Sequence, residues 1–523
     1  MKIVIAEPLA AAGVKLLEAQ SGWEVVQSNP REYMHHLAEA DGLIVRGSIR
    51  LSGALIAQAP RLRVVGRAGV TVENIDLAAA TVAGVLVMNT PGGNAVSVAE
   101  HTLALMLSLA RSIPLANAST KVGKWERRKF TGIELRGKTL GVLGLGTIGR
   151  EVVRRVRPFE MRILATDPYA HTGAASDLGI ELVPLETLYA ESDFLTLHVA
   201  LTPETHRMLS TEAFARMKTG VRIINCARGE LIDELALEAA LQFGKVAGAA
   251  LDVFQSEPPE GSPLLKRDNV IATPHIGGAT EEAQEVTGVR IAAQIVDYLK
   301  NGIALNAVNM PALTREQHRT LGPWVDLGER LGRLASYLAR GNPQAVRIHY
   351  FGKLSDQDTH LIRNSVLAGV LARALHHRAN AINAMQLAHE RGLDISETHD
   401  QRSAHTDSIR LELAASAGPT RVDGAVVFGR PRLIRVDDIP CEAPLEGNVT
   451  FLRNQDVPGV IGHVGRVLGE QGVNIASFAL GRRDAMGEAV SVVVSDQPVS
   501  EATLDRVLEN PAVTEARFIA FPR

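Results

Sequence analysis

Along the N-terminal part of the chain, short apolar runs alternate with longer stretches whose apolar residues recur every three or four positions. The runs are "KIVIAE", "WEVVQS", "GLIVRG", "RVVGRAG" and "GVLVMNT", each bounded by Gly, Pro, Asn or Asp; "AAAGVKLLEAQ" is one of the stretches between them. Runs of this length predict strands, and the longer periodicity predicts helices. Their alternation predicts a parallel sheet. A long apolar-rich helix follows at "VSVAEHTLALMLSLARSI". A second alternating series then begins, with strands at "KTLGVLGLG", "RILATD", "DFLTLHV", "VRIINCA", "KVAGAALDV" and "NVIATPH". Another long helix, "EEAQEVTGVRIAAQIVDYLKNG", closes it. Two long helices bracketing one complete α/β unit predict that the chain leaves a first domain, builds a second and returns. A site is then expected in the cleft between them.

The pattern changes beyond that helix. "NAVNMPALTREQ", around Asn309, reads as a linker. A third region, from about Leu313 to Ile439, carries helices at "SVLAGVLARALHH" and "AINAMQLAHERG" and a β-rich end at "AVVFGRPRLIRVDD". "EAPLEGN" reads as a second boundary. The last segment has the order βαββαβ, from "NVTFLRN" to "EARFIAF", which predicts a ferredoxin-like unit.

Composition narrows the class. The chain has 523 residues, enough for about three or four domains, and a net charge of −3. No global field attracts nucleic acid or a membrane surface, so neither is expected as a partner. The two cysteines, Cys226 and Cys441, are far apart and lack metal spacing, which predicts a reducing, cytoplasmic setting. Cys226 is expected inside a strand, packing. "MKIVIAEPLAAAGVKLL" lacks the features of a secretory leader, and no run is long and apolar enough to span a bilayer. His35, His36, His376 and His377 have no metal-site spacing; they are expected at the surface or in the core, and no metal is predicted.

The chemistry sits in the second series. Gly144, Gly146 and Gly149 form G-x-G-x-x-G between a strand and a helix that opens at Thr147 and Ile148. Gly144 permits a tight turn, Gly146 lets a pyrophosphate approach the backbone, and Gly149 lets helix and strand touch. The helix N-terminus supplies N–H groups for the phosphates. Asp167 ends the next strand, where a carboxylate accepts the ribose hydroxyls and repels a 2′-phosphate, so NAD is the expected cofactor rather than NADP. Arg228 in "INCARGELIDE", Asp252 and Glu257 in "ALDVFQSEPP", and His275 in "IATPHIGGAT" each follow a strand. Ligands of open α/β sheets bind at those strand ends. An Arg can hold a substrate carboxylate, a His can take a hydroxyl proton, and a carboxylate orients the His and stabilises its charged form. That set suits oxidation of a 2-hydroxy acid by a nicotinamide cofactor.

These motifs, in this order, resemble the D-isomer-specific 2-hydroxyacid dehydrogenases. With "VVGRAG", "GVLVMNTPGGN", "AEHTLALMLSLAR" and "GKWERRKFTGIELRGKTLG", the chain looks like the long-form branch that oxidises D-3-phosphoglycerate to 3-phosphohydroxypyruvate, the first step of phosphorylated serine biosynthesis. The similarity runs through essentially the whole chain. It implies a Rossmann-type NAD domain (99–285) inserted into a flavodoxin-like substrate domain (1–98 and 286–310). An α+β intervening domain (313–440) and a ferredoxin-like ACT domain (447–523) follow. It implies His275 as acid/base, Glu257 as its partner, Arg228 as the carboxylate or carbonyl binder, and Asp252 near the nicotinamide. Arg46, Arg50 and Arg67 are implied as binders of the substrate phosphate, with Arg127 reaching across a homodimer or homotetramer. In the ACT-like segment, Asn454, Asp456 and Asn474 match positions that bind serine between two such domains, so L-serine is an expected effector.

Two loops depart from the family's usual pattern. Thr71-Val72-Glu73 stands where Gly-Val-Asp is usual, and Arg46-Gly47-Ser48-Ile49 where the third side chain after the Arg carries a hydroxyl. Both loops are expected to face the substrate and to bear on its choice. Two other readings stay open at this point. One is a relative acting on a different D-2-hydroxy acid, 2-hydroxyglutarate included. The other is an NAD-sensing binding protein, against which the intact Arg228, Glu257 and His275 set argues.

Overall fold

The computed structural model describes residues 1–170, 172–375, 379–401 and 407–521, so His376 and His377 lie outside the described residues. Among the described residues, four sheets succeed one another along the chain. The first joins β1 (Lys2–Ile5), β2 (Glu24–Gln27), β3 (Gly42–Val45), β4 (Val64–Arg67) and β5 (Leu86–Met88) in the order β2-β1-β3-β4-β5, all parallel. This is the flavodoxin-like order. β3 and β5 are buried throughout, as continuous apolar strands of a parallel sheet covered on both faces should be.

The second sheet holds β6 (Thr139–Leu143), β7 (Arg162–Thr166), β8 (Glu181–Leu182), β9 (Phe194–Leu197), β10 (Val221–Asn225), β11 (Val246–Leu251) and β12 (Val270–Ala272). Their order is β12-β11-β10-β9-β6-β7-β8, again all parallel. The order reverses between β6 and β9, which opens a crevice at the carboxyl ends of those strands. The two bracketing helices divide between the sheets. Helix Ala95–Arg111 packs on helix Thr147–Val156 and on β10 to β12, whereas helix Glu281–Asn301 packs on helix Ala11–Glu18 and β4. The second contact is close because Gly13 meets Gly288: a Cβ on Gly13 would stand 2.7 Å from the Gly288 carbonyl oxygen.

A mixed third sheet contains β13 (Pro343–Phe351), β14 (Asp394–Asp400), β15 (Ser408–Ala415), β16 (Gly418–Val427), β17 (Arg430–Val436) and β18 (Ile439–Pro444). Helix Arg315–Leu338 covers it and packs on helix His360–Leu375. The linker before it is pinned: Asn309 donates to Val85 O and accepts from Val87 N. A loop of this region also docks on the first domain, where Asn380 donates to Gly84 O (2.8 Å) and Ile382 joins the core of Ile3, Ile5 and Ala304. The fourth sheet is antiparallel, with β19 (Asn448–Gln455), β20 (Ile475–Arg482), β21 (Glu488–Ser495) and β22 (Val513–Ala520) in the order β20-β21-β19-β22. Helices Val460–Glu470 and Glu501–Leu508 cover one face, completing the βαββαβ unit. Among the described residues no helix is long and apolar enough to cross a membrane.

Candidate active site

The glycine loop after β6 has the geometry a dinucleotide needs. Gly144 lies at φ +92°, and a Cβ there would stand 2.5 Å from His198 O. A Cβ on Gly149 would stand 2.0 Å from Gly144 O, so helix and strand touch there. The space before Gly146 is open, with nothing within 4 Å of an added Cβ. Thr147 and Ile148 begin the helix whose free N–H groups face this opening. Asp167 follows β7, and its carboxylate accepts from Leu145 N (2.7 Å) and Tyr169 N (2.8 Å). It is therefore held at the loop with lone pairs left for ribose hydroxyls. These residues fit a dinucleotide whose ribose carries no 2′-phosphate.

The strand ends beside that loop carry the titratable set. His275 follows β12 at φ +55°, its N–H bonded to Asp252 O and Thr273 O. Its Nδ1 lies 2.7 Å from Glu257 Oε2, and Glu257 Oε1 accepts from Phe254 N. This leaves Nε2 as the ring atom able to exchange a proton with a ligand. Asp252 is 1% exposed. Its carboxylate accepts from Thr273 Oγ1 (2.6 Å), Ile276 N (2.9 Å) and Gly277 N (2.7 Å), and His101 Nε2 lies 3.3 Å away. Burial would raise its pKa, but His101, Thr273 and the two backbone N–H groups together hold it below the ordinary carboxylate value. Asp252 thus ties down the turn that presents His275.

Facing this set across the cleft is a cavity of about 460 Å³, lined among others by Arg46, Arg67, Thr71, Glu73, Asn94, Glu257 and His275. The Arg67 guanidinium lies between Gly47 and Gly69; a Cβ on Gly69 would overlap it. Its Nε is buried without a protein partner, as is Asn94 Oδ1. Burial lowers the Arg67 pKa from its ordinary value, while Glu73 and Glu7 oppose the shift; an arginine nonetheless stays charged near neutral pH. Arg46 is set beside it by Glu7, which accepts from Arg46 N (2.5 Å), Ser48 N and Ser48 Oγ. A half-buried cation on a cavity wall, with its Nε buried and unpartnered, is what an anionic ligand group requires.

A D-isomer-specific 2-hydroxyacid dehydrogenase NAD-binding domain matches residues 103–277, a D-3-phosphoglycerate dehydrogenase intervening domain residues 320–437, and an ACT domain residues 448–512. D-3-phosphoglycerate dehydrogenase from Methanocaldococcus jannaschii is 40% identical over 99% of this chain and 99% of its own length. The Bacillus subtilis enzyme of that name is 35% identical over the full length of both chains. The chain belongs to the D-3-phosphoglycerate dehydrogenase family. Among solved structures, D-lactate dehydrogenase from Escherichia coli superposes with a TM-score of 0.52 at 29% identity, covering 59% of this chain and all of that one. D-2-hydroxyisocaproate dehydrogenase gives 0.53 at 26% identity, covering 59% and 99%. As a member of this D-3-phosphoglycerate dehydrogenase family, the chain is an NAD-dependent oxidoreductase with a Rossmann-type domain followed by intervening and ACT domains.

Several sequence expectations need correction. Ile49 does not face the ligand: it is 4% exposed, in the core of the first domain with Leu51 and Ile75. Arg50 stands between the buried Ile49 and Leu51, so its side chain points out to solvent and it does not line the cavity. Arg127, expected to act on a second copy and not on its own chain, needs no such correction: it is exposed on the short turn Arg127–Phe130, outside its own chain's cavity. Asn454 is 2% exposed and its amide is used within the sheet, accepting from Ser491 Oγ and donating to Gln455 O, so its side chain is closed to a ligand. Cys226 lies one residue beyond β10, buried, and burial pushes its thiol up to about 12. Sequence reasoning missed Glu7, Asn94, His101 and the partner of Arg228. That partner is Glu73: its Oε1 lies 3.1 Å from Arg228 Nε and 3.0 Å from Nη2.

Proposed function

We propose that the chain oxidises D-3-phosphoglycerate at C2 to 3-phosphohydroxypyruvate, with NAD, as the entry step of serine biosynthesis. The observation that carries this reading is the pairing of Glu257 with His275 at 2.7 Å on one wall of a cavity whose other wall offers the under-bonded Arg67. A small acid with a carboxylate at one end and a phosphate at the other spans those features. His275 Nε2 takes the C2 hydroxyl proton, and Glu257 stabilises the imidazolium that results. Arg228 holds the substrate carboxylate, and Arg67 with Arg46 holds the phosphate. Bound NAD supplies the acceptor for the C2 hydrogen and its two electrons. Asp252 acts through the His275 turn as a positioning residue.

The ACT segment supports feedback by L-serine at a site completed by a second copy of the chain, which requires a homodimer or homotetramer. The test is NADH oxidation on adding 3-phosphohydroxypyruvate, with and without L-serine. Turnover that serine suppresses supports enzyme, substrate and effector together. Turnover only with another 2-oxo acid removes phosphoglycerate from the reading, and turnover indifferent to serine removes the effector.

A further inference from the structure

We propose that Glu73 is a resident competitor for the substrate-binding cations, a specificity-determining carboxylate that occupies Arg228 until a stronger anionic ligand displaces it. The inference rests on the reading of Arg228 as the carboxylate binder, but not on which 2-hydroxy acid is bound.

Glu73 follows β4 in the first domain, whereas Arg228 follows β10 in the second, so their ion pair crosses the cleft. Both Arg228 Nε and Nη2 converge on one oxygen, Glu73 Oε1, and Nη1 is turned to Ala227 O at 2.6 Å. The face of the guanidinium fork that a ligand carboxylate would use is therefore filled by a carboxylate of the protein itself. Glu73 lines the same cavity as Arg67, His275 and Glu257, and its charge acts on Arg67 as well as on Arg228. One side chain thus neutralises part of the field of both cations. It is also built to be ionised: the partial desolvation of its carboxyl at the cleft would raise its pKa, but the Thr71 hydroxyl and Arg228 together hold it below the ordinary value. Thr71 and Glu73 are the two outer residues of the loop that departs from the family's usual pattern, and they act as one unit.

The pair is also built to open. The Glu73 side chain is 67% exposed against 27% for Arg228, so water reaches the pair from the Glu73 side and screens it. A ligand bearing two anionic groups engages Arg228 and Arg67 at once and gains from both, whereas a lone anion must displace Glu73 with a single contact. Selectivity for a doubly anionic acid then follows from a repulsive element as well as from an attractive one.

The test is steady-state reduction of 3-phosphohydroxypyruvate, 2-oxoglutarate and pyruvate by the full-length protein and by its Glu73→Gln and Glu73→Asp variants. Calorimetric titration with oxamate in the presence of NADH accompanies it. Oxamate carries a carboxylate beside a carbonyl and is not turned over, so it reads the Arg228 site whatever the substrate is. The proposal expects Glu73→Gln to bind oxamate about 3–10-fold more tightly and to lower KM for the 2-oxo acids. The largest gain falls on the singly charged one, and kcat moves less than KM. Glu73→Asp keeps the charge but is one methylene shorter, so it gives up the Arg228 contact while keeping part of the field, and its oxamate affinity should fall between those of the parent and Glu73→Gln. Weaker or unchanged oxamate binding in Glu73→Gln overturns the proposal, because Glu73 would then merely hold Arg228 in place or be idle. Glu73→Asp matching the parent protein overturns it too, since the loop's charge rather than the Arg228 contact would be responsible. Failure of all three chains on 3-phosphohydroxypyruvate alone counts against the proposed substrate and leaves the oxamate comparison decisive.

Discussion

The second and fourth sheets use their strand ends in opposite ways. In the parallel sheet every strand ends on the same edge, so the glycine loop after β6, Asp167 after β7, Arg228 after β10, Asp252 after β11 and His275 after β12 all meet at one crevice of one chain. The antiparallel sheet sends alternate strands to opposite edges. Asp456, after β19, sits beside Arg482 at the end of β20, with Nη1 2.7 Å from its Oδ2. Asn474, before β20, bonds Asp496 at the other end of the same strand. Eight residues of strand separate them, on the order of 25 Å. Parallel topology gathers the candidate catalytic residues within one chain, whereas the antiparallel unit keeps Asp456 and Asn474 apart, so the proposed serine site would have to draw on two copies.

The sharpest way to break this comparison is to test whether the crevice is a single catalytic unit. His275→Ala should lower kcat by about 10²–10⁴-fold, the range lost with a general acid/base, while NADH binding, measured by fluorescence, stays close to the parent value. A loss confined to KM would show that His275 only lines the cavity.

Arg67→Ala comes next. Hydrogen bonds to charged groups contribute about 1.5–3 kcal/mol, so kcat/KM for the phosphorylated acid should fall roughly 10–100-fold, with little change for pyruvate. An equal fall for both acids would mean that Arg67 supports the cavity wall rather than reading a phosphate.

Asp252→Asn tests how the crevice is held. The carboxylate accepts from Thr273, Ile276 and Gly277, and an amide must turn its NH₂ toward at least one of those donors. A loss of about 1–3 kcal/mol is expected for a buried group so mismatched. Because the folded pKa of Asp252 lies below its ordinary value, its contribution is complete above the unfolded value near 4 and disappears as pH falls through the folded one. The difference in Tm between parent and variant should be full at neutral pH and shrink below about pH 4. A difference that grows with acid would contradict the assignment.

What the sequence disclosed follows the same division. The parallel sheets were readable because their strands are continuous apolar runs and their chemistry follows strand ends. β8, only two residues long, is too short to carry a pattern. The third region was harder. Helix Arg315–Leu338 opens inside the stretch read as a linker and contains Pro323, which argues locally against a helix; its strongly one-sided apolar face and the Thr314 capping box were the countersigns. β14, "DISETHD", is largely exposed and has no apolar alternation, so only its pairing with β13 makes it a strand. β15, "SIRLELAA", does alternate strictly and could have been read. Glu73 was visible only as a departure from a pattern, because a cross-cleft ion pair leaves no spacing in the chain. Ile49 and Arg50 were misjudged for want of one fact, namely which side of an extended segment faces inward.

The smallest effect bears on the antiparallel half and decides its side of the comparison. If serine binds between an Asp456 edge of one copy and an Asn474 edge of another, then Asp456→Ala and Asn474→Ala should each abolish serine inhibition and leave turnover without serine intact. Coupling of this kind is worth about 1–3 kcal/mol. Co-expressing the two variants discriminates further. In a mixed dimer, one of the two symmetric sites takes Asp456 from the Asn474→Ala chain and Asn474 from the Asp456→Ala chain, and is whole; the other site lacks both. Mixed dimers should therefore regain inhibition at one site of two, whereas a site contained within one chain would be defective in every copy and regain none. Measuring serine inhibition of doubly tagged, purified mixed dimers separates these outcomes, because strand topology permits the first only if the effector site is shared.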